Sequence, residues 1–139
     1  MLVKDVMNKH VITVEPDTPL LEAAQIMADN HIGCLVVVQK GKPIGMVTER
    51  DILVAIASEV NIKKSKVKDI MTHYLITIGP NRPINKAIKL MTENKIKKLP
   101  VVDEKGKLVG IITTSDIISA QPKANKNIKK LITLKLFRR

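Results

Sequence analysis

The heptapeptide Gly45-Met46-Val47-Thr48-Glu49-Arg50-Asp51 returns 65 positions later as Gly110-Ile111-Ile112-Thr113-Thr114-Ser115-Asp116. Glycine, two apolar residues, threonine and aspartate keep the same frame in both copies. Working outward, an offset of 64 lays VKDVMNKHVITVEPDTPLLEAAQIM from Val3 on VKDIMTHYLITIGPNRPINKAIKLM from Val67. Pro16 then matches Pro80, Pro19 matches Pro83 and Met27 matches Met91. The offset grows by one across the loops holding Lys40-Gly41 and Glu104-Lys105-Gly106. A Gly/Lys turn is where chains tolerate an inserted residue. The chain divides into repeats at 1–60 and 61–120 and a tail at 121–139, with residues 57–66 as the connection between repeats.

Each repeat has a readable order. VITV and LITI have the apolar, β-branched character of short strands. Thr18-Pro19 and Arg82-Pro83 then place a proline at the first helical position, where a missing N–H costs nothing. Leu20, Ala23, Ala24 and Met27, like Ile84, Ala87, Ile88 and Met91, follow at i, i+3, i+4 and i+7 and predict one apolar helix stripe per repeat. The runs CLVVV and LPVV, then PIGMV and LVGII, predict buried strands separated by glycine turns. A second helix begins after each motif threonine. The expected fold class is α+β, with the order β-α-β-β-α performed twice.

Composition narrows the function. The 139 residues suffice for two interdependent halves, each of which would be marginal alone. A hydrophobic content of 45% excludes a disordered chain, and no apolar run approaches the roughly 18 residues needed to span a membrane. Met1-Leu2-Val3 runs directly into a charged, patterned segment rather than a secretion signal, and the single Cys34, among apolar neighbours, reads as a buried thiol. A cytoplasmic location is the simplest expectation. All 13 acidic residues precede position 121, so the first 120 residues, with 17 basic groups, carry only +4 of the net +11. The remaining excess belongs to the tail.

The T-x-x-D motif falls where a strand passes into a helix. Thr48 and Thr113 occupy N-cap positions and Asp51 and Asp116 fall three residues later, an arrangement that satisfies backbone donors as a capping box and needs no ligand. The same geometry suits a nucleotide. The helix start offers N–H groups to a phosphate, and a carboxylate can accept from both ribose hydroxyls.

The paired KDVM and KDIM openings, TVEPDTPLLEA with TIGPNRPINKA, and CLVVVQKGKPIGMVTERD with KLPVVDEKGKLVGIITTSD together resemble a tandem pair of cystathionine-beta-synthase (CBS) domains, a Bateman module. The likeness covers roughly residues 1–120. It implies two pseudo-symmetric β-α-β-β-α repeats packed through their sheets, with clefts between the repeats that take AMP, ADP, ATP or S-adenosylmethionine. It also implies flat homodimers, with exposed apolar helix faces meeting a second chain, and regulation of an enzyme or transporter in trans. By this resemblance Thr48 and Thr113 would contact phosphate and Asp51 and Asp116 the ribose. The base would lie against Thr13, Val14 and Pro16 or their counterparts Thr77, Ile78 and Pro80. Arg50 and Lys98 would neutralise phosphate, or simply face solvent as most basic side chains do. Ser115 stands where Arg50 does, and Gly33-Cys34 where Lys97-Lys98 do, so the two clefts are expected to differ.

Other chemistry finds little support. The sequence has no phosphate-binding G-x-x-x-x-G-K-[ST] loop and no CxxC, and His10, His31 and His73 lie singly without metal-ligand spacing. No catalytic residue, metal or required cofactor is expected, and His31 reads as a helix-end residue. The alternative function rests on the tail. In NIKKLITLKLFRR, Ile128, Leu131, Ile132 and Leu136 approach helical spacing, while Ile132, Leu134 and Leu136 alternate as in a strand. Lys123, Lys126, Lys129, Lys130, Lys135, Arg138 and Arg139 could bind nucleic acid, an acidic partner or anionic lipid, or could be the solvated side of an apolar strip docked on the body. Tyr74 and Phe137 are the only aromatic residues, which disfavours a base-stacking platform.

Overall fold

In chain order the elements are α1 (Val3–Val6), β1 (Thr13–Val14), α2 (Leu20–Asn30), β2 (Cys34–Gln39), β3 (Lys42–Thr48), α3 (Glu49–Ala57), a 3₁₀ turn (Val67–Asp69), α4 (Ile84–Asn94), β4 (Lys98–Val102), β5 (Leu108–Thr113), α5 (Thr114–Ala120) and α6 (Lys126–Leu136). The structure, a computed structural model, describes residues 1–120 and 126–136. Two compact units result, and they do not follow the repeat boundaries. One is Ile12–Leu75; the other joins Met1–Val11 to the chain from Ile76 onward. The segment that precedes each repeat in sequence therefore packs with the opposite repeat. Repetition reveals which segments are equivalent, but not which of two equivalent sheets a segment joins.

In the Ile12–Leu75 unit the sheet order is β1-β2-β3, with β1 parallel and β3 antiparallel to β2. Leu20, Ala23 and Met27 of α2 and Ile52 and Ala55 of α3 bury against Leu35, Val37 and Val47. Two residues, Lys40 and Gly41, turn the hairpin with φ of 53° and 79°, the paired positive values of a turn matched to strand twist. The extra residue of the second repeat lies in the longer loop between β4 and β5, where the Gly106 N–H donates to the Asp103 carbonyl. Both hairpins carry a bulge at the same place, after Val37 and after Val101.

The second unit repeats this plan with one reduction. LITI does not form a strand; Ile78 alone bridges to Val101. Its N–H donates to the Pro100 carbonyl, and its carbonyl accepts from the Val102 N–H. Thr13 pairs with Val36, whose counterpart is Pro100, and proline has no N–H with which to extend a ladder. The loss of the second pair is thus written in one residue.

The prolines sit one position earlier than expected. Pro19 and Pro83 are N-cap residues in extended conformation, with ψ of 145° and 150°, and the helices begin at Leu20 and Ile84. The first N–H of each helix donates to a main-chain carbonyl, Ser65 for Leu20 and Met1 for Ile84. Helix ends leave such donors unpaired, so these leading segments complete the helices as well as the sheets.

The KDVM and KDIM segments are the anchors. Asp5 and Asp69 cap their own turns by accepting from the Leu2 and Lys66 N–H groups, each at 2.8 Å. Val3 and Val67 are fully buried. Beyond them, Asn8 exchanges two main-chain hydrogen bonds with Ile111, and Thr72 does the same with Met46. Glycine at the head of each heptapeptide permits this approach. A Cβ on Gly45 would stand 2.5 Å from Met71 Sδ and 3.0 Å from the Thr72 carbonyl oxygen; on Gly110 it would stand 2.6 Å from Met7 Sδ and 3.1 Å from the Asn8 carbonyl oxygen.

The tail forms a helix, α6, packed against α4 and α5. Leu131 and Leu134 are buried in the core with Ile88, Met91 and Ile117, whereas Ile132 is 45% exposed. The expected stripe is therefore corrected: Leu134, assigned to strand-like alternation, is the residue that buries, because it lies three positions from Leu131 on one helix face. Lys129 and Lys130 are exposed. Lys123, Phe137, Arg138 and Arg139 lie outside the described residues, as do the side chains of Lys126, Ile128, Lys135 and Leu136. Cys34 is half-buried rather than buried, because it opens β2 at the sheet's end. Among the described residues no helix is long and apolar enough to cross a membrane.

Two stability outcomes follow from this packing. Leu131→Ala and Leu134→Ala should each cost about 2–4 kcal/mol in urea unfolding, with Ile132→Ala within about 0.5 kcal/mol of the parent. Gly45→Ala and Gly110→Ala should each cost about 1–3 kcal/mol, since main-chain oxygen as well as a methionine stands in the way. Unchanged midpoints for the leucine variants would remove α6 from the core.

Candidate functional site

The two T-x-x-D corners form the same closed hydrogen-bond pair. Thr48 Oγ1 accepts from the Asp51 N–H at 3.1 Å, and Asp51 Oδ2 accepts from the Thr48 N–H at 2.8 Å. In the other unit the Asp116 N–H donates to Thr113 Oγ1 and the Thr113 N–H to Asp116 Oδ2, both at 3.1 Å. Each is a capping box in which aspartate takes the role more often played by glutamate. The first helical N–H is also used: Glu49 donates to the Gly33 carbonyl and Thr114 to that of Lys97, each at 2.9 Å. Neither bond engages the Arg50 or Ser115 N–H, which occupies the position between them in the first turn. The cap uses one oxygen of each carboxylate, and an ionised carboxylate has about four acceptor sites.

Strand register supplies each corner with a different neighbour. Thr113 lies directly opposite Lys98, and Thr48 directly opposite Cys34. Directly opposed residues share a sheet face. The strand residue opposite the threonine is thus a lysine in the second unit and a cysteine in the first. Arg50, exposed on the first turn of α3, is one residue before Asp51; Ser115 holds its place in α5. Sequence reading already set Gly33-Cys34 against Lys97-Lys98; the strand register adds that Cys34 is the residue opposite Thr48.

The T-x-x-P stretches lie across the middle strand from these corners. Val36, in β2, pairs with Thr13 on one side and Met46 on the other. Val14 and Ile78 are 6% and 5% exposed and belong to the two cores. Their side chains are committed to packing, whereas the flanking Thr13 is exposed and Pro16, Thr77 and Pro80 are half-buried. Several carbonyls there are already used: Pro16 accepts from Lys68 and Pro80 from Lys4. Just beyond Pro16, Asp17 pairs with Lys68 at 3.0 Å and Lys66 at 3.6 Å. The Lys68 hydrogen bond and charge hold the Asp17 carboxyl below its ordinary range, and Asp17 in turn raises Lys68. Asn81 occupies the equivalent place in the other repeat, so this pairing is not duplicated.

None of the twelve expected ligand residues lines the cavity of about 440 Å³ in the Ile12–Leu75 unit; Ala24, Met27, Ala28, His31, Ile32, Gly33, Glu49 and Ile52 do. His31 ends α2 in left-handed conformation, φ 54°, as a helix-end residue. Among the described residues there is no group of His, Cys, Asp and Glu that could hold a metal ion.

Comparison with known proteins places these features in a family. The CBS domain family model matches residues 3–58 and 67–123. The chain is 38% identical to MK0525 of Methanopyrus kandleri, an uncharacterized protein, over 86% of this chain and 62% of that one. It is 42% identical to inosine-5'-monophosphate dehydrogenase of Thermoplasma acidophilum over 81% of this chain but only 22% of the enzyme, so that likeness is to a part. With YhcV of Bacillus subtilis, a CBS domain-containing protein, identity is 35% over 83% of this chain and 81% of the relative. The solved CBS domain pair of MJ0100, in complex with 5'-methylthioadenosine and S-adenosyl-L-methionine, superposes with a TM-score of 0.77 at 34% identity, covering 86% of this chain and 94% of that one.

The caps themselves are testable. Thr48→Ala and Thr113→Ala should each cost about 1 kcal/mol of stability, while Asp51→Asn and Asp116→Asn, which keep an acceptor oxygen, should cost less than half of that. Thermal unfolding of the four single variants measures the difference, and equal costs would show that carboxylate charge, not the accepted bond, holds the turn.

Proposed function

The chain belongs to the CBS domain family, and on that premise we propose that it is a non-enzymatic regulatory module that binds adenosine-containing ligands. The observation that carries the reading is the likeness to the MJ0100 CBS pair in complex with 5'-methylthioadenosine and S-adenosyl-L-methionine, taken with two intact Thr/Asp corners here. AMP, ADP, ATP and S-adenosylmethionine are the ligands to test.

In this reading the ribose hydroxyls donate to the carboxylate oxygens of Asp51 and Asp116 that the caps leave available. Phosphate, where present, meets the threonine hydroxyl and the nearby cation, Arg50 at one corner and Lys98 at the other. The base rests on main chain of the T-x-x-P stretch beside Thr13, Val14 and Pro16, or Thr77, Ile78 and Pro80. Cap and ligand roles do not compete, because a carboxylate accepts several hydrogen bonds at once. The different cations predict different preferences: guanidinium offers a planar, forked set of donors, while ammonium acts as a point charge. Ligand occupancy would report energy or metabolite status to an enzyme or transporter acting in trans. The dehydrogenase relative, in which the matching part is attached to a catalyst, supports that kind of output.

Calorimetric titration of AMP, ATP and S-adenosylmethionine into ligand-stripped protein tests this. Asp51→Asn or Asp116→Asn should weaken its own site by about 1.5–3 kcal/mol, roughly 10- to 100-fold, and 2'-deoxy analogues should bind more weakly to the parent. Parent-like binding by both variants and by the deoxy analogues would reduce the motifs to caps.

A second reading, a basic adaptor for nucleic acid or a partner protein, is favoured by one observation: Lys129 and Lys130 are exposed while Leu131 and Leu134 hold α6 down. Binding of a polyanion through this face should fall steeply with salt as counterions are released. Lys129→Gln with Lys130→Gln should lower both the affinity and that slope without altering adenosine-ligand titrations. Undiminished polyanion binding would place the basic site elsewhere.

A further inference from the structure

We propose that the lysines which α4 and α6 present to solvent bind the phosphates of double-stranded nucleic acid. This rests on the basic-adaptor reading and gives that surface its extent and its partner. Charge divides with the compact units rather than with the repeats. Residues 12–75 carry 7 basic and 8 acidic groups, net −1, whereas the other unit carries 17 basic and 5 acidic groups, net +12. Without residues 121–139 that second unit still has 10 basic against 5 acidic groups. The positive charge of the chain is therefore a property of one unit and not of its tail alone.

The internal duplication shows that the fold does not require this charge. Helices α2 and α4 have the same length and bury matching stripes, Leu20, Ala23 and Met27 in one and Ile84, Ala87 and Met91 in the other. Yet α4 and its end carry Lys86, Lys89 and Lys95 where α2 and its end carry Glu22, Gln25 and His31. Lys89 and Lys95 are exposed and Lys86 is half-buried. Glu93 is the one acid on α4, 3.9 Å from Lys89. Packed against α4, α6 adds the exposed Lys129 and Lys130. At 1.5 Å of rise per residue, Lys86 to Lys95 span about 13 Å, over which each strand of a duplex presents about four phosphates.

The rest of the surface selects the partner. Of the seven large apolar side chains exposed among the described residues, only Met1 and Ile132 lie in this unit. Protein interfaces have apolar and aromatic centres and are depleted in lysine, so an acidic protein is the poorer fit. Leu131 and Leu134 of α6 are committed to the core, which withdraws them from insertion into a bilayer. Tyr74 lies in the other unit and Phe137 outside the described residues, so no described aromatic ring here can stack on an unpaired base. Lysine attracts phosphate as a point charge without reading a base edge, which suits a duplex, whose phosphates face outward and whose bases are paired.

Fluorescence anisotropy of a labelled duplex of about 20 base pairs, as DNA and as RNA, titrated with the full-length chain between about 50 and 200 mM salt, tests the assignment. Either duplex should saturate at the lower salt and lose roughly 100-fold in affinity at the higher, the change expected for about four phosphate contacts. Lys89→Gln with Lys95→Gln, and separately Lys129→Gln with Lys130→Gln, should each weaken binding several-fold and lower the salt slope by about one to two. Lys63→Gln with Lys64→Gln, an exposed pair in the near-neutral unit, should change neither quantity. All three variants should melt with the parent. Equal losses in the Lys63/Lys64 variant would trace binding to total charge and overturn the assignment. Tighter binding of a single strand of the same length, or of phosphatidylserine vesicles, would do the same. Poly-glutamate separates the remaining outcomes: if it binds and neither duplex does, the adaptor reading stands and the duplex assignment is overturned, and if none of the three binds at about 50 mM salt, both fall.

Discussion

Everything in the fold depends on the approach of a methionine-containing segment to a glycine on a neighbouring strand. Met71-Thr72 closes on Gly45, and Met7-Asn8 closes on Gly110, with main-chain oxygen 3.0–3.1 Å from where a Cβ would stand. Two main-chain hydrogen bonds then add the segment to each sheet edge. The same segments bury Val67 and Val3 and lie close to the helix starts, whose first N–H groups donate to Ser65 and Met1. A residue as small as glycine therefore governs sheet extension, helix capping and core closure together. It also explains why the compact units begin at Ile12 and Ile76 rather than at the repeat boundaries.

Duplication has preserved one constraint and relaxed another. The reciprocal Thr/Asp cap is the same in both repeats to within a few tenths of an ångström. The basic residues near it in the chain or across the sheet differ: Arg50 on α3 in one unit, Lys98 on β4 in the other. A cap must match fixed main-chain donors, so its residues have little freedom. A basic side chain is under no such constraint, because electrostatic attraction depends on distance more than on direction.

The helix faces have diverged more. On α4 and α5 a third helix, α6, buries Leu131 and Leu134, and the lysines it carries at 129 and 130 remain in solvent. On α2 and α3 the matching positions are smaller or charged, Ala24 and Glu49, and the cavity they line stays open. The basic tail is consequently part of one unit's core as well as the source of its charge. That is why net charge alone says little about its role.

The sequence by itself determined the repeat, the β-α-β-β-α order of its first copy, the stripes of α2 and α4 and the capping box, because each rests on local periodicity or on contacts within a few residues. Thr48/Asp51 and Thr113/Asp116 were legible as caps for that reason. It also carried the asymmetry of the corners, since Ser115 and Gly33-Cys34 interrupt an otherwise close match. Tertiary structure decided the rest. Which sheet received KDVM and KDIM, whether Thr113 faced Lys98, and whether Leu134 or Ile132 was buried all depend on segments far apart in the chain. LITI failed as a strand because its opposite residue, Pro100, lacks an N–H, a partner that no reading of LITI alone identifies. Local pattern fixes what a segment can form; only its packed neighbours fix what it forms and which of its faces is left for function.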